Sequence, residues 1–221
     1  MPKFLRTTEG VFATIFVSFI IVLFGFYFYS GANTSSSVKE DIAITAQDHV
    51  RGNLEGKVTL VKFADYQCPA CGAYEPIVKQ LLNDNKQTLK VVHKHFPLTQ
   101  IHRNALPAAM AAEAAGVQGK FWEMNDILYA KQSEWSGALN ARDYFLAYAT
   151  TIGLNVATFE KDLSNKTLEE KVLAELREGV RLKVQGTPTF FLNGQKINNP
   201  RDLASFDALI KKAAQETTEV Q

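Results

Sequence analysis

The hydrophobic pattern divides the chain into three parts. Val11 to Tyr29 is a run of nineteen residues with no charge, in which Thr14 and Ser18 are the only aliphatic hydroxyls. As a helix, a run of this length spans the hydrocarbon core of a bilayer. Ser30 to Ser37 (SGANTSSS) is polar and rich in small residues, and it predicts a flexible linker. Beyond it the periodicity is that of a folded domain. Lys57 to Ala64 (KVTLVKFA) and Thr88 to Phe96 (TLKVVHKHF) cluster β-branched and large apolar residues and predict strands, with a helix from Tyr74 to Leu82 between them. Strand, helix and strand in this order imply a parallel pair joined by a right-handed crossover. A short strand at Ile42 to Thr45 is expected before them, followed by a turn at Arg51-Gly52-Asn53.

From Ile101 to Val184 the pattern is helix after helix: Ala105 to Ala115, Phe121 to Tyr129, Ala141 to Ile152, Val156 to Leu163 and Leu168 to Val184. The last of these carries Leu168, Val172, Leu176 and Val180 at four-residue spacing, which predicts its packing face. Thr189 to Leu192 then predicts a strand, Asn193-Gly194 a tight hairpin turn, and Gln195 to Ile197 the returning strand. Asn199 and Pro200 predict the start of a closing helix with Leu203, Phe206 and Ile210 facing inward. The expected class is an α/β core interrupted by a helical insertion at about residues 98–184.

Charge places these parts. Lys3 and Arg6 precede the apolar run and only Glu9 opposes them, so residues 1–10 are expected in the cytoplasm, 11–29 as a single-pass signal-anchor helix and 38–221 outside. A cleaved signal peptide is the alternative, with Ser30-Gly31-Ala32 as the small-residue site. The whole chain holds 24 Lys and Arg against 23 Asp and Glu. This balance provides no basic field for a nucleic-acid partner.

The two cysteines are Cys68 and Cys71, in Cys-Pro-Ala-Cys between the first strand and its helix. A CxxC at this junction is a dithiol redox pattern. At the helix cap, Cys68 meets unpaired backbone N–H groups and the positive end of the helix dipole, so its thiol is expected to be acidic and to be the attacking sulfur. Pro69 suits the first helical position, and Ala70 adds no polar group. Cys71, one turn deeper, is the expected resolving thiol. A zinc site completed by His93 and His95 fits less well, because zinc ligands of this kind sit in turns and knuckles. A structural disulfide over so short a loop gains little chain-entropy stabilisation. No metal is expected.

Together these residues identify a family. Val58 to Tyr74 (VTLVKFADYQCPACGAY), Phe96-Pro97-Leu98 with His102, Asn104 and Ala105, Gly119-Lys120-Phe121-Trp122, and Gly186-Thr187-Pro188-Thr189-Phe190-Phe191 with Asn193-Gly194 occur in order over about residues 39–214. In these motifs the chain resembles the DsbA-like branch of the thioredoxin superfamily, in particular its membrane-anchored bacterial forms. The resemblance implies a thioredoxin-like fold with the helical domain inserted between core strands, a cis-proline at Pro188 facing the CxxC, and substrate contacts at Thr187, Pro69 and Ala70. It implies no bound cofactor. It further implies thiol-bearing exported polypeptides as substrates and a quinone-linked membrane partner of the DsbB or VKOR type for reoxidation.

Two positions depart from the family pattern. Six residues before the first cysteine, where a buried acid often relays protons for the inner thiol, stands Lys62. It either points at the sulfurs and favours thiolate or snorkels outward, leaving the proton to Asp65, Glu75 or water. Ala70 replaces the histidine of strongly oxidising members, so Cys68 is expected to be less acidic than theirs. The expected activity is an extracytoplasmic thiol:disulfide oxidase. A reductase or isomerase using the same residues is the nearest alternative. A non-catalytic binding module and a metal-delivery thiol protein lie further off.

Overall fold

The computed structural model describes Ile20 and residues 40–219. The expected anchor and linker lie, Ile20 apart, outside the described residues. No helix among the described residues is long and apolar enough to cross a membrane.

The parallel βαβ unit forms as expected. β1 is His49–Gly52, β2 Val58–Ala64, α1 Pro69–Asp84 and β3 Leu89–His95. Six helices follow: α2 Ala105–Val117, α3 Phe121–Ala130, α4 Gln132–Trp135, α5 Arg142–Thr151, α6 Val156–Asp162 and α7 Lys166–Arg181. β4 (Thr189–Leu192), β5 (Gln195–Ile197) and α8 (Leu203–Glu219) complete the chain. The sheet order is β1-β3-β2-β4-β5, with β2 and β3 parallel and the other neighbours antiparallel. The helical insertion therefore leaves after β3 and returns at β4, on the other side of β2.

β2 is buried on both faces, as a strand covered by helices on both sides must be. Val58 and Leu60 pack with Val78, Leu81, Phe190, Phe206 and Ile210 beneath α1 and α8. Val61 and Phe63 pack with Val92, Phe96, Leu182 and Phe191 on the opposite face. The insertion has a third core, in which the alanines of α2 let Phe121, Met124, Trp135, Phe145 and Phe159 approach closely. Cys68, Cys71 and Tyr66 belong to that third core. The CxxC thus lies where insertion and sheet meet.

Four local expectations are corrected. Ile42 to Thr45 forms no strand, because the Thr45 amide and hydroxyl donate to Asp48 Oδ2 and close a turn there. The first strand is β1, and Arg51 and Gly52 belong to it rather than to a turn. It ends at Gly52, where φ is +103° and a Cβ would lie 2.6 Å from the Leu89 carbonyl, a place only glycine fills without strain. In α7, Val172 is buried but Val180 is 62% exposed. A four-residue step turns about 40° too far on a 3.6-residue helix, so the stripe rotates off the core and Gly179 takes the buried place against Phe96. Finally, α8 starts at Leu203 with Asp202 accepting from the Ser205 amide, and Asn199 is used elsewhere.

The hairpin chemistry holds. Asn193 and Gly194 have φ of +48° and +83°, the left-handed pair that a two-residue turn between β4 and β5 requires.

Candidate active site

α1 opens on Cys68 at its N-cap, in extended conformation, with Pro69 as the first helical residue. The cap is held from the insertion, since Gln132 Nε2 donates to the Tyr66 and Cys68 carbonyls at 2.7 and 2.9 Å. Both cysteines are free thiols. Cys68 is 8% exposed and Cys71 1%, so the outer sulfur is the accessible one even in a largely covered site. Pro69 and Ala70 beside them are exposed.

Opposite stands the loop before β4. The Thr187–Pro188 bond is cis, and the Thr187 carbonyl lies 3.2 Å from Cys68 Sγ. Two side chains fix this loop: Thr189 Oγ1 donates to the Gly186 carbonyl and Asn199 Nδ2 to the Pro188 carbonyl, each at 2.7 Å. The Thr187 hydroxyl is buried, and among the described residues it acts on the two sulfurs rather than on a nitrogen or oxygen partner. Thr187 and Pro188 thus lie where the sequence placed them, facing the CxxC.

The two thiols are driven apart in acidity. Cys68 is held down to about 5, first by a hydrogen bond from the Cys71 thiol; burial opposes the shift, while Thr187 and the amides of Cys71 and Ala70 add to it. Cys71 is pushed far above the ordinary thiol range by burial, by its donation to Cys68 and by the Cys68 charge. The amides of the helix terminus lower the Cys68 value as expected, but the neighbouring thiol contributes more. Ala70 does not prevent a strongly acidic Cys68.

Of the two courses expected for Lys62, the outward one is not taken. The side chain is buried, and its Nζ is 2.6 Å from Glu75 Oε2 and 5.1 Å from the centre of the Tyr129 ring. The other oxygen of Glu75 accepts from Asn125 Nδ2 at 2.9 Å, and Asn125 Oδ1 accepts from the Tyr66 hydroxyl. A lysine on β2 and an acid on α1 thus form a closed buried pair. Snorkelling is excluded because the neighbouring layers leave no route to water. Asp65 is occupied as well: its carboxylate accepts from the Gln67 and Leu98 amides and contacts His102 Nδ1 at 2.7 Å. It organises the loops on either side of the CxxC. Of the three charged candidates, only Glu75 lies on the helix face of Cys71, four residues on. His93 stacks on Tyr66, and His95 Nε2 lies 2.9 Å from Glu113 Oε1.

Sequence reasoning missed Gln67, Asn125, Tyr129, Gln132 and Asn199. Gln67, next to Cys68, could have been flagged by adjacency. The others act across distant segments and have no local signature.

A family model described as "Thioredoxin" matches residues 45–212. The chain belongs to the thioredoxin family. Among solved structures of this fold it is similar to alpha-DsbA1 of Wolbachia pipientis, with a TM-score of 0.70 and 18% identity over 81% of this chain and 98% of that one. It is also similar to oxidised BdbD of Bacillus subtilis, with a TM-score of 0.67 and 22% identity over 76% of this chain and 94% of that one. The DsbA-like architecture expected from the motifs is the one observed. Among curated proteins it is 40% identical, over 76% of its length, to Na(+)/H(+) antiporter NhaA 3 of Salinispora tropica. The chain spans about a quarter of the length of the curated relatives it matches.

Proposed function

We propose that the chain is an extracytoplasmic thiol:disulfide oxidoreductase working mainly as a disulfide-donating oxidase. The observation that carries this reading is the split in acidity between Cys68, held to about 5, and Cys71, pushed far up, beside a cis-proline loop. A stabilised Cys68 thiolate favours the reduced form of the pair and so makes the disulfide a readier acceptor of electrons.

In the forward direction a substrate thiolate attacks Cys68 Sγ, the Cys68–Cys71 bond breaks, and Cys71 leaves with the electron pair and takes up a proton. The substrate's second thiolate then attacks its own sulfur in the mixed disulfide and releases Cys68 as thiolate. The substrate has lost two electrons and two protons; one proton is on Cys71, the other has gone to solvent, and the enzyme is reduced, with Cys68 as thiolate and Cys71 as thiol. The low acidity threshold of Cys68 makes it the better leaving group in the second step. Thr187 and Pro188 present backbone for an extended substrate segment, and Pro69 and Ala70 form the exposed rim it crosses. Glu75, balanced by Lys62, is the buried acid suited to exchange protons with Cys71.

Reoxidation is assigned to a quinone-linked membrane partner of the DsbB or VKOR type, with Val11 to Tyr29 tethering the domain on the outer face. Membrane fractionation of tagged protein tests the tether. Release of a fragment beginning near Ala32 would replace it with cleavage. The redox equilibrium of Cys68 and Cys71 against glutathione tests the direction. A potential near that of thioredoxin, about −270 mV, would favour the reductase instead.

A further inference from the structure

We propose that a cavity in the helical insertion is a substrate subsite beside the CxxC, taking a polypeptide segment that offers an apolar side chain and a carboxylate. The proposal rests on the thiol-exchange reading above. The cavity is about 420 Å³, a size that holds one or two side chains. Its lining includes Pro107, Leu139, Phe145 and Leu163, together with Arg103 and Arg142.

Two of these residues are left open for a partner. Leu139 is 87% exposed, an apolar side chain standing in water where it lines a cavity of mixed apolar and polar walls. Arg142 is paired with Glu160, whereas Arg103 has no carboxylate partner among the described residues. The free guanidinium gives the cavity a positive charge that an acidic residue complements.

Position connects the cavity to the chemistry. Asn104, which also lines it, is buried; its backbone amide donates to Gln67 Oε1 at 2.7 Å and its side chain to the Ala138 carbonyl at 2.8 Å. Gln67 Nε2 donates to the Ser136 carbonyl at 2.8 Å. Arg103-Asn104, which lines the cavity, and Ser136 to Ala138, which leads into its Leu139 to Arg142 wall, are therefore tied to the residue that precedes Cys68. A substrate whose cysteine is joined to Cys68 carries neighbours about 3.4 Å apart along an extended chain, so a segment a few residues long is what would bridge Cys68 and a cavity whose lining is tied to Gln67. The walls are fixed before the substrate arrives, so seating it orders little of the protein.

The test uses the oxidised full chain and dithiol peptides with Leu-Asp, Leu-Lys or Ser-Asp placed about two to five residues from the reacting cysteine. Each rate is divided by that with dithiothreitol on the same protein. The Leu-Asp peptide is expected to react about two- to five-fold faster than Leu-Lys, the range of one exposed ion pair. Arg103→Glu should invert that order, Arg103→Gln should abolish it, and Leu139→Ser should remove the advantage of Leu-Asp over Ser-Asp. Equal ratios in the wild type and all variants, with dithiothreitol exchange intact, overturn the subsite and leave the oxidoreductase standing. Failure to exchange with dithiothreitol overturns both.

Discussion

Replacing Cys71 by serine and by alanine separates the two sources of Cys68 acidity. In the structure the Cys71 thiol makes the largest contribution, ahead of Thr187 and of the amides at the helix start. A net hydrogen bond to a charged group contributes about 1.5–3 kcal/mol, which corresponds to roughly 1–2 pKa units. Cys71→Ala should therefore move the Cys68 midpoint from about 5 to roughly 6–7, whereas Cys71→Ser keeps a donor and should leave it within about half a unit. At pH 5 the thiolate fraction of the alanine variant falls from about one half to roughly 1–10%, and alkylation slows in proportion. Thiolate absorbance against pH, with iodoacetamide rates on the same samples, reads both quantities. Superimposable curves for wild type and Cys71→Ala would refute the reasoning and return the effect to the helix terminus and Thr187.

The depressed Cys68 value also gives the reduced protein a pH dependence that the oxidised protein lacks. The thiolate's contribution to reduced-state stability is fully present above the ordinary thiol value of about 9 and is lost as pH falls through about 5, so chemical denaturation should show the reduced form losing its advantage over that interval. Cys71→Ser should accumulate substrate bound through Cys68, visible on non-reducing gels, because no thiol remains to resolve it. Lys62→Met leaves the Glu75 carboxylate buried without its ammonium and should cost about 3–5 kcal/mol in thermal or urea unfolding; Lys62→Met with Glu75→Met should recover much of that loss. Gly179→Ala drives a Cβ to 2.5 Å from the Phe96 ring and should destabilise by about 1–3 kcal/mol, whereas Gly119→Ala meets no atom within 4 Å and tests backbone strain alone.

The parts of the fold that could be read in the sequence are those written in local chemistry. The Cys-Pro-Ala-Cys spacing fixes the N-cap and the first turn, Asn193-Gly194 fixes the hairpin, and the two apolar runs around α1 fix the parallel pair. The illegible parts depend on contacts between remote segments. Lys62 offered two courses as a single residue, and its actual course is set by Glu75 thirteen positions later and Asn125 in the insertion. Asn199 carries a good cap signal, but its side chain donates to the Pro188 carbonyl and Asp202 supplies the oxygen that accepts at the helix start. Val180 fits a stripe by counting, and the helix pitch carries it into water. The site was legible in its sulfurs and its proline, and illegible in the amides that hold them.

Gln132 belongs to the insertion, yet its amide holds the two carbonyls at the start of the CxxC helix, and the insertion's core closes over both sulfurs. The insertion is consequently not a cassette that can be cut out or exchanged between relatives while the redox centre is kept. A minimal protein made by joining β3 to β4 would retain the sheet, but Cys68 would stand at a frayed helix end with Cys71 in water. The burial that separates the two thiols would be gone. In such a graft the two cysteines would revert toward ordinary, nearly equivalent thiols. The difference between the two thiols would then have to come from whichever helical layer the receiving scaffold happens to lay across the pair.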